Sequence, residues 1–164
     1  MKWLNELYVV QKQLDEHIQS QHHLKNHHLV REKMLAFFVE LGELANETRC
    51  FKFWSLKPPA AQATILEEYV DGIHFLLSLG LDLGFTDVSA ISLESVEDRT
   101  VTEQFLTVFR AMTAFHETQK QDDYLTLFTE FLSLGKLLGF DGEHIQQGYF
   151  KKNEVNYQRQ QEKY

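Results

Sequence analysis

Two short acidic words carry the chemistry that this sequence could perform. Glu40-x-x-Glu43, followed by Glu47, sets three carboxylates within an arc of about 60° on one helical face. A second stretch, Glu67-Glu68-Tyr-Val-Asp71-Gly-Ile-His74-Phe75, repeats the pattern as Glu68-x-x-Asp71. Like charges at this spacing destabilise a helix by about 0.2–0.5 kcal/mol per pair. Crowded into a partly buried cleft, such carboxylates cost far more unless they are protonated or bound to cations. A hard divalent cation relieves that cost, and Mg2+ is commonly shared between carboxylates and substrate phosphates. One acidic word alone is usually a solvated stripe. Two of them, each beside aromatic residues and separated by a proline-broken hairpin, point to a metal site. A di-iron centre would need E-x-x-H on two helices, and Asp71-x-x-His74 is one imperfect copy.

These residues need helices to hold them. Apolar spacing predicts helices from about Trp3 to Ser20, Lys25 or Leu29 to Phe51, Ala60 to Leu83, Val101 to Gln119, Asp122 to Leu138 and Gly142 to Gln161. Leu4, Leu7, Leu14 and Ile18 mark the first stripe. Met34, Phe37, Leu41, Leu44 and Ala45 form the core face of the second helix, well away from its glutamates. Leu66, Tyr69, Val70, Ile73 and Leu77 do so on the third. Ser55-Leu-Lys-Pro58-Pro59 must interrupt the chain, because proline removes donors and blocks the preceding turn. The break lets two antiparallel helices face their acidic stripes inward. Residues 85–98 read as a loop, and strand signal is almost lacking. The expected fold is all-α: a single domain over 1–164, a bundle of about six helices.

An internal echo runs through the chain. Glu67-Glu68-Tyr69, Leu77-Ser-Leu-Gly80 and Leu83-Gly84-Phe85 match Asp122-Asp123-Tyr124, Leu132-Ser-Leu-Gly135 and Leu138-Gly139-Phe140 at one constant offset. Asp71 then corresponds to Thr126 and His74 to Thr129. Either a duplication whose second copy kept only packing, or two core helices that converged on similar caps, accounts for it.

A net charge of −8 argues against nucleic acid as a partner, which requires a basic face, but not against a phosphorylated small molecule. With 43% hydrophobic and 13% aromatic residues, the chain is globular. No apolar run approaches the roughly 20 residues that span a bilayer, so no membrane association is expected, and the start lacks a signal peptide's apolar block. The sole cysteine, Cys50, fits a reducing, cytoplasmic setting. His22, His23, His27 and His28 include i,i+4 pairs, yet no cysteine or paired acid completes a transition-metal site beside them.

Glu40-x-x-Glu43 with Glu68-x-x-Asp71 resembles the metal signature of the all-α, MazG-like nucleoside triphosphate pyrophosphohydrolases. ELGELANETRCFKFWS (40–55) and EEYVDGIHF (67–75) narrow the resemblance to the dimeric all-α dUTPases of bacteria, their phages and some protozoa. Tyr149-Phe-Lys-Lys152-Asn153-Glu-Val-Asn156-Tyr-Gln-Arg159-Gln160 is similar to that family's closing motif, and Gln11-Lys-Gln-Leu14-Asp15 to its first. The tail departs from the pattern, lacking a Gly-Tyr after Arg159-Gln160.

The resemblance implies hydrolysis of dUTP, and of dUDP, to dUMP by a homodimer. It implies Mg2+ held by Glu40, Glu43, Glu68 and Asp71; the mechanism expected on chemical grounds is attack on the α-phosphorus by a metal-activated water that Glu43 orients. Lys152, Asn156 and Arg159 share a face at i, i+4, i+7 and could present donors to phosphate; Lys52 and Lys57 are weaker candidates. Trp54 and Phe75 are stacking candidates for the base, with His74 and Asn46 as polar contacts. Gln11 and Asp15 could read the uracil edge or the deoxyribose hydroxyl. Two alternatives stay open: a MazG-type enzyme acting on another nucleotide, and a non-catalytic helical protein that binds a regulator.

Overall fold

The computed structural model describes residues 1–24, 28–93 and 98–162. Part of the expected 85–98 loop, His27 of the histidine cluster, Lys25 as a helix start, and the last two residues lie outside the described residues. Six helices form: α1 Lys2–Gln21, α2 Val30–Thr48, α3 Gln62–Leu83, α4 Val101–Thr118, α5 Gln121–Leu137 and α6 Gly142–Gln161. Among the described residues there is no strand, and no helix is long and apolar enough to cross a membrane.

Helix α3 is the axis of the bundle. Helices α1, α2, α5 and α6 all pack on it, while α4 pairs with α5 and touches α2. Its burial therefore extends beyond one stripe, to Gly72, His74, Leu76, Ser78 and Gly80 as well as Tyr69, Val70, Ile73 and Leu77. The expected core face of α2 is buried as a set, from Met34 through Ala45.

Helix α2 stops at Thr48, three residues before the expected Phe51. Arg49 caps it in the left-handed region at φ 57°, a conformation that a non-glycine residue adopts at a cost. Its guanidinium holds the turn by donating to Ser55 Oγ (2.7 Å) and to the Lys57 carbonyl (3.2 Å). The Pro58-Pro59 break falls where expected, and α3 begins two residues later than predicted.

The internal echo has a structural counterpart. The Tyr69 hydroxyl donates to the Phe131 carbonyl at 3.0 Å, and the Tyr124 hydroxyl donates to the Leu76 carbonyl at 2.9 Å. Tyr69 lies against Gly135, and Tyr124 against Gly80, each so closely that a β-carbon would clash. Gly84 and Gly139 end the two helices at φ 75° and 89°, where glycine alone is unstrained. The counterparts of Asp71 and His74 are Thr126 and Thr129, which offer hydroxyls in place of a carboxylate and an imidazole. These hydroxyls donate to carbonyls of their own helix, Asp122 (2.9 Å) and Leu125 (2.8 Å).

Candidate active site

The α2–α3 hairpin turns its two acidic stripes toward each other. Carboxylate oxygens of Glu40, Glu68 and Asp71 all lie within 4.8 Å of one another, and all three residues are half-buried. Glu43, one turn along α2, is more exposed. Burial first, then repulsion from Asp71, Glu43 and Glu68, pushes the Glu40 pKa up to about 7. Burial and neighbouring carboxylates also raise Glu68. Asp71 is raised by burial despite the pull of Lys152. The donors are oxygen atoms only, convergent and under-compensated in charge. That set fits a hard divalent cation such as Mg2+.

Lys152 of α6 approaches this cluster from the flank. Its side chain is 9% exposed, and its ammonium lies 2.8 Å from Asp71 Oδ2 and 2.9 Å from Glu67 Oε1. Burial alone would lower its pKa; the hydrogen bonds to Asp71 and Glu67 outweigh burial and hold it above the ordinary lysine value.

From Glu40 and Asp71 a cleft of about 290 Å3 runs along α3 past His74, Phe75 and Ser78. Gln11 and Asp15 of α1, Lys33 of α2, and Asn156 and Arg159 of α6 form its other walls. One hydrogen-bond chain fixes its polar surface. Asp15 accepts from Ser78 Oγ (2.6 Å) and from Gln11 Nε2 (2.8 Å), with the Lys33 ammonium 3.9 Å away. A carboxylate can only accept, so the Gln11 amide must turn its NH2 to Asp15. Its oxygen then accepts from the Tyr149 hydroxyl (2.8 Å) and from His74 Nδ1 (2.7 Å). His74 is thereby the Nδ1–H tautomer, stacked on Tyr149 with ring centroids 4.2 Å apart. Burial, aided by Lys152, lowers its pKa to about 3, so the ring is neutral. Its second nitrogen, Nε2, is a buried acceptor without a partner.

Compared with known protein families, residues 3–164 match the family described as dUTPase. The chain belongs to the all-α dUTPase family. It is accordingly a hydrolase of the dUTP diphosphatase kind. No curated protein sequence matches it.

The structure gathers most of the candidate residues of this dUTPase-family chain and leaves some apart. Glu40, Asp71, Gln11, Asp15, His74, Phe75, Asn156 and Arg159 share the cleft; Glu68 and Lys152 adjoin it through Asp71. Asn46 is exposed and accepts from Lys52 Nζ at 2.5 Å. Trp54 is 64% exposed on the α2–α3 loop, edge-on to Phe51 and Phe53, and does not line the cleft. Four residues of the site have no assigned role in the sequence reading. Tyr149 and Glu67 stand inside the C-terminal and EEYVD motifs, which are the local signals that mark them. Lys33 and Ser78 carry no local signal, because only tertiary packing brings them to Asp15.

Proposed function

We propose that the chain hydrolyses dUTP, and dUDP, to dUMP in a Mg2+-dependent reaction, releasing pyrophosphate from dUTP. The observation that carries this is the convergence of Glu40, Glu68 and Asp71, flanked by Lys152, at one end of a cleft whose wall carries His74, Phe75 and Gln11. Glu40, Glu43, Glu68 and Asp71 would hold Mg2+, which would supply charge neutralisation for the phosphates and lower the pKa of a nearby water. The chain's own groups do the rest. Glu43, the most exposed acid of the cluster, orients the attacking water and takes its proton. Lys152, Asn156 and Arg159 donate to phosphate oxygens, which is positioning and electrostatics rather than covalent chemistry. Phe75 offers a stacking face to the base, and Asp15, turned by Ser78 and Gln11, is an acceptor for the deoxyribose hydroxyl.

His74 suits the same base once substrate entry uncovers its Nε2, which is sealed from solvent in the free protein. An Nε2 acceptor matches the imide N–H of uracil and meets only another acceptor at the corresponding nitrogen of cytosine. Such mismatches leave buried polar groups unpaired and discriminate strongly. Residues 1–164 act as one domain, in the cytoplasm, and as a homodimer. The exposed apolar side chains of Leu35 and Val39, one turn apart on α2, support the last point, since exposed apolar surface of this kind marks a protein contact.

Pyrophosphate release measured across dUTP, dTTP, dCTP and UTP, with and without Mg2+, tests the reading. Selective, Mg2+-dependent turnover of dUTP is expected. Broad turnover would reassign the substrate, and none would remove the activity. Sedimentation analysis of a Leu35→Asp, Val39→Asp variant should show monomers where the parent chain shows dimers; two dimeric species would refute the proposed face.

A further inference from the structure

Glu67 and Glu68 are adjacent on α3, yet they face different neighbours. Successive helical residues project about 100° apart. Glu68 therefore turns into the carboxylate trio while Glu67 aligns with Asp71, one turn on, beneath α6. The Lys152 ammonium straddles that i,i+4 pair, 2.9 Å from Glu67 and 2.8 Å from Asp71. Its two anchors are not equivalent. Asp71 belongs to the trio, whereas Glu67 lies outside it and is 56% exposed.

We infer that Glu67 is a positioning residue that keeps Lys152 at the rim of the acidic cluster once Asp71 is engaged by a cation. This rests on the Mg2+-dependent reading proposed above. In the cation-free protein Lys152 serves as internal counter-ion to Asp71. A divalent ion on the trio takes over the Asp71 charge and repels the ammonium. Without a second anchor the lysine would leave the flank of the cluster. The Glu67 carboxylate holds it there and frees one N–H for a phosphate oxygen. A half-exposed ion pair contributes little to folding, so the contact's consequence lies in where the ammonium sits. The Glu67 carboxyl is itself held below the usual range by its hydrogen bond from Lys152, in keeping with a standing contact.

The test uses Glu67→Gln, Lys152→Gln and the double variant, each titrated with Mn2+ without nucleotide and assayed with dUTP and Mg2+. Glu67→Gln should bind Mn2+ about three- to tenfold more weakly, because Lys152 falls back on Asp71. Lys152→Gln should bind it more tightly than the parent, and the double variant should match Lys152→Gln. With dUTP, the KM of Glu67→Gln should rise several-fold while kcat changes far less. The melting temperature in chelator should stay that of the parent. An equal loss of Mn2+ affinity with and without Lys152 would reduce Glu67 to a generic negative charge and overturn the inference, as would no change or a large drop in melting temperature. If the parent chain fails to hydrolyse dUTP, the functional reading falls, while the Mn2+ series still decides the role of Glu67.

Discussion

The Tyr69 hydroxyl fills the space that a β-carbon on Gly135 would occupy, and Tyr124 does the same above Gly80. Alanine at either position gains about 1 kcal/mol of helix propensity, but overpacking of about 1–3 kcal/mol or more outweighs it. Urea midpoints should therefore fall for Gly80→Ala and Gly135→Ala. Adding Tyr124→Phe to Gly80→Ala should restore part of the loss, since the hydroxyl is the nearest atom there. Tyr69→Phe should help Gly135→Ala less, because the ring carbon is nearly as close. Unchanged midpoints would refute the close approach.

Glu40 makes metal-free stability depend on pH. Its folded pKa is raised to about 7 by burial and by Asp71, Glu43 and Glu68, against about 4.3 in an unfolded chain. The native state therefore binds more protons between these values, and stability falls as pH rises through that window. In chelator at pH 8, Glu40→Gln should melt a few degrees above the parent, about 1–2 kcal/mol after solvent screening. The difference should vanish below pH 4. A gap that stays constant with pH would remove Glu40 as its source.

Glu43 is the expected proton acceptor, so Glu43→Gln should lower kcat by about 10²–10⁴-fold. Because Glu40, Glu68 and Asp71 form the trio without it, Mn2+ binding should persist. Near-native turnover with Mg2+ would take Glu43 out of the chemistry.

His74 should control the choice between uracil and cytosine. Removing its acceptor in His74→Ala should cost dUTP about 10- to 100-fold in kcat/KM and dCTP much less. An unchanged ratio between the two nucleotides would exclude His74 from base reading. Its pKa is lowered to about 3, below about 6.5 when unfolded. Its contribution to stability is thus full above pH 6.5 and is lost as pH falls toward 3. No histidine limb should appear near pH 6.5 in the kcat/KM profile of the parent.

The helices and the acidic pairs were legible because both rest on local periodicity. Gly84, Gly139 and the Pro58-Pro59 break punctuate the chain where backbone freedom demands it, and Glu40, Glu68 and Asp71 met as their spacing implied. The end of α2 was not legible. Arg49 holds a left-handed cap through contacts with Ser55 and Lys57 that no helix-stop signal encodes. Trp54, a stacking candidate by residue type, is 64% exposed on the α2–α3 loop beside Phe53, a placement that depends on how the loop folds after Arg49. The fixed tautomer of His74 was equally hidden, since it depends on Asp15, Gln11 and Tyr149 arriving from two other helices.

The threonines that stand where Asp71 and His74 have their counterparts bond back to their own helix. On the function proposed above, α5, which matches α3 in shape, and its partner α4 act as a counterweight to the reacting groups. Variation there should register in expression and heat tolerance while leaving turnover per folded molecule alone. A mutational survey that scores abundance and catalysis separately would find the two maps divided between the halves of the bundle.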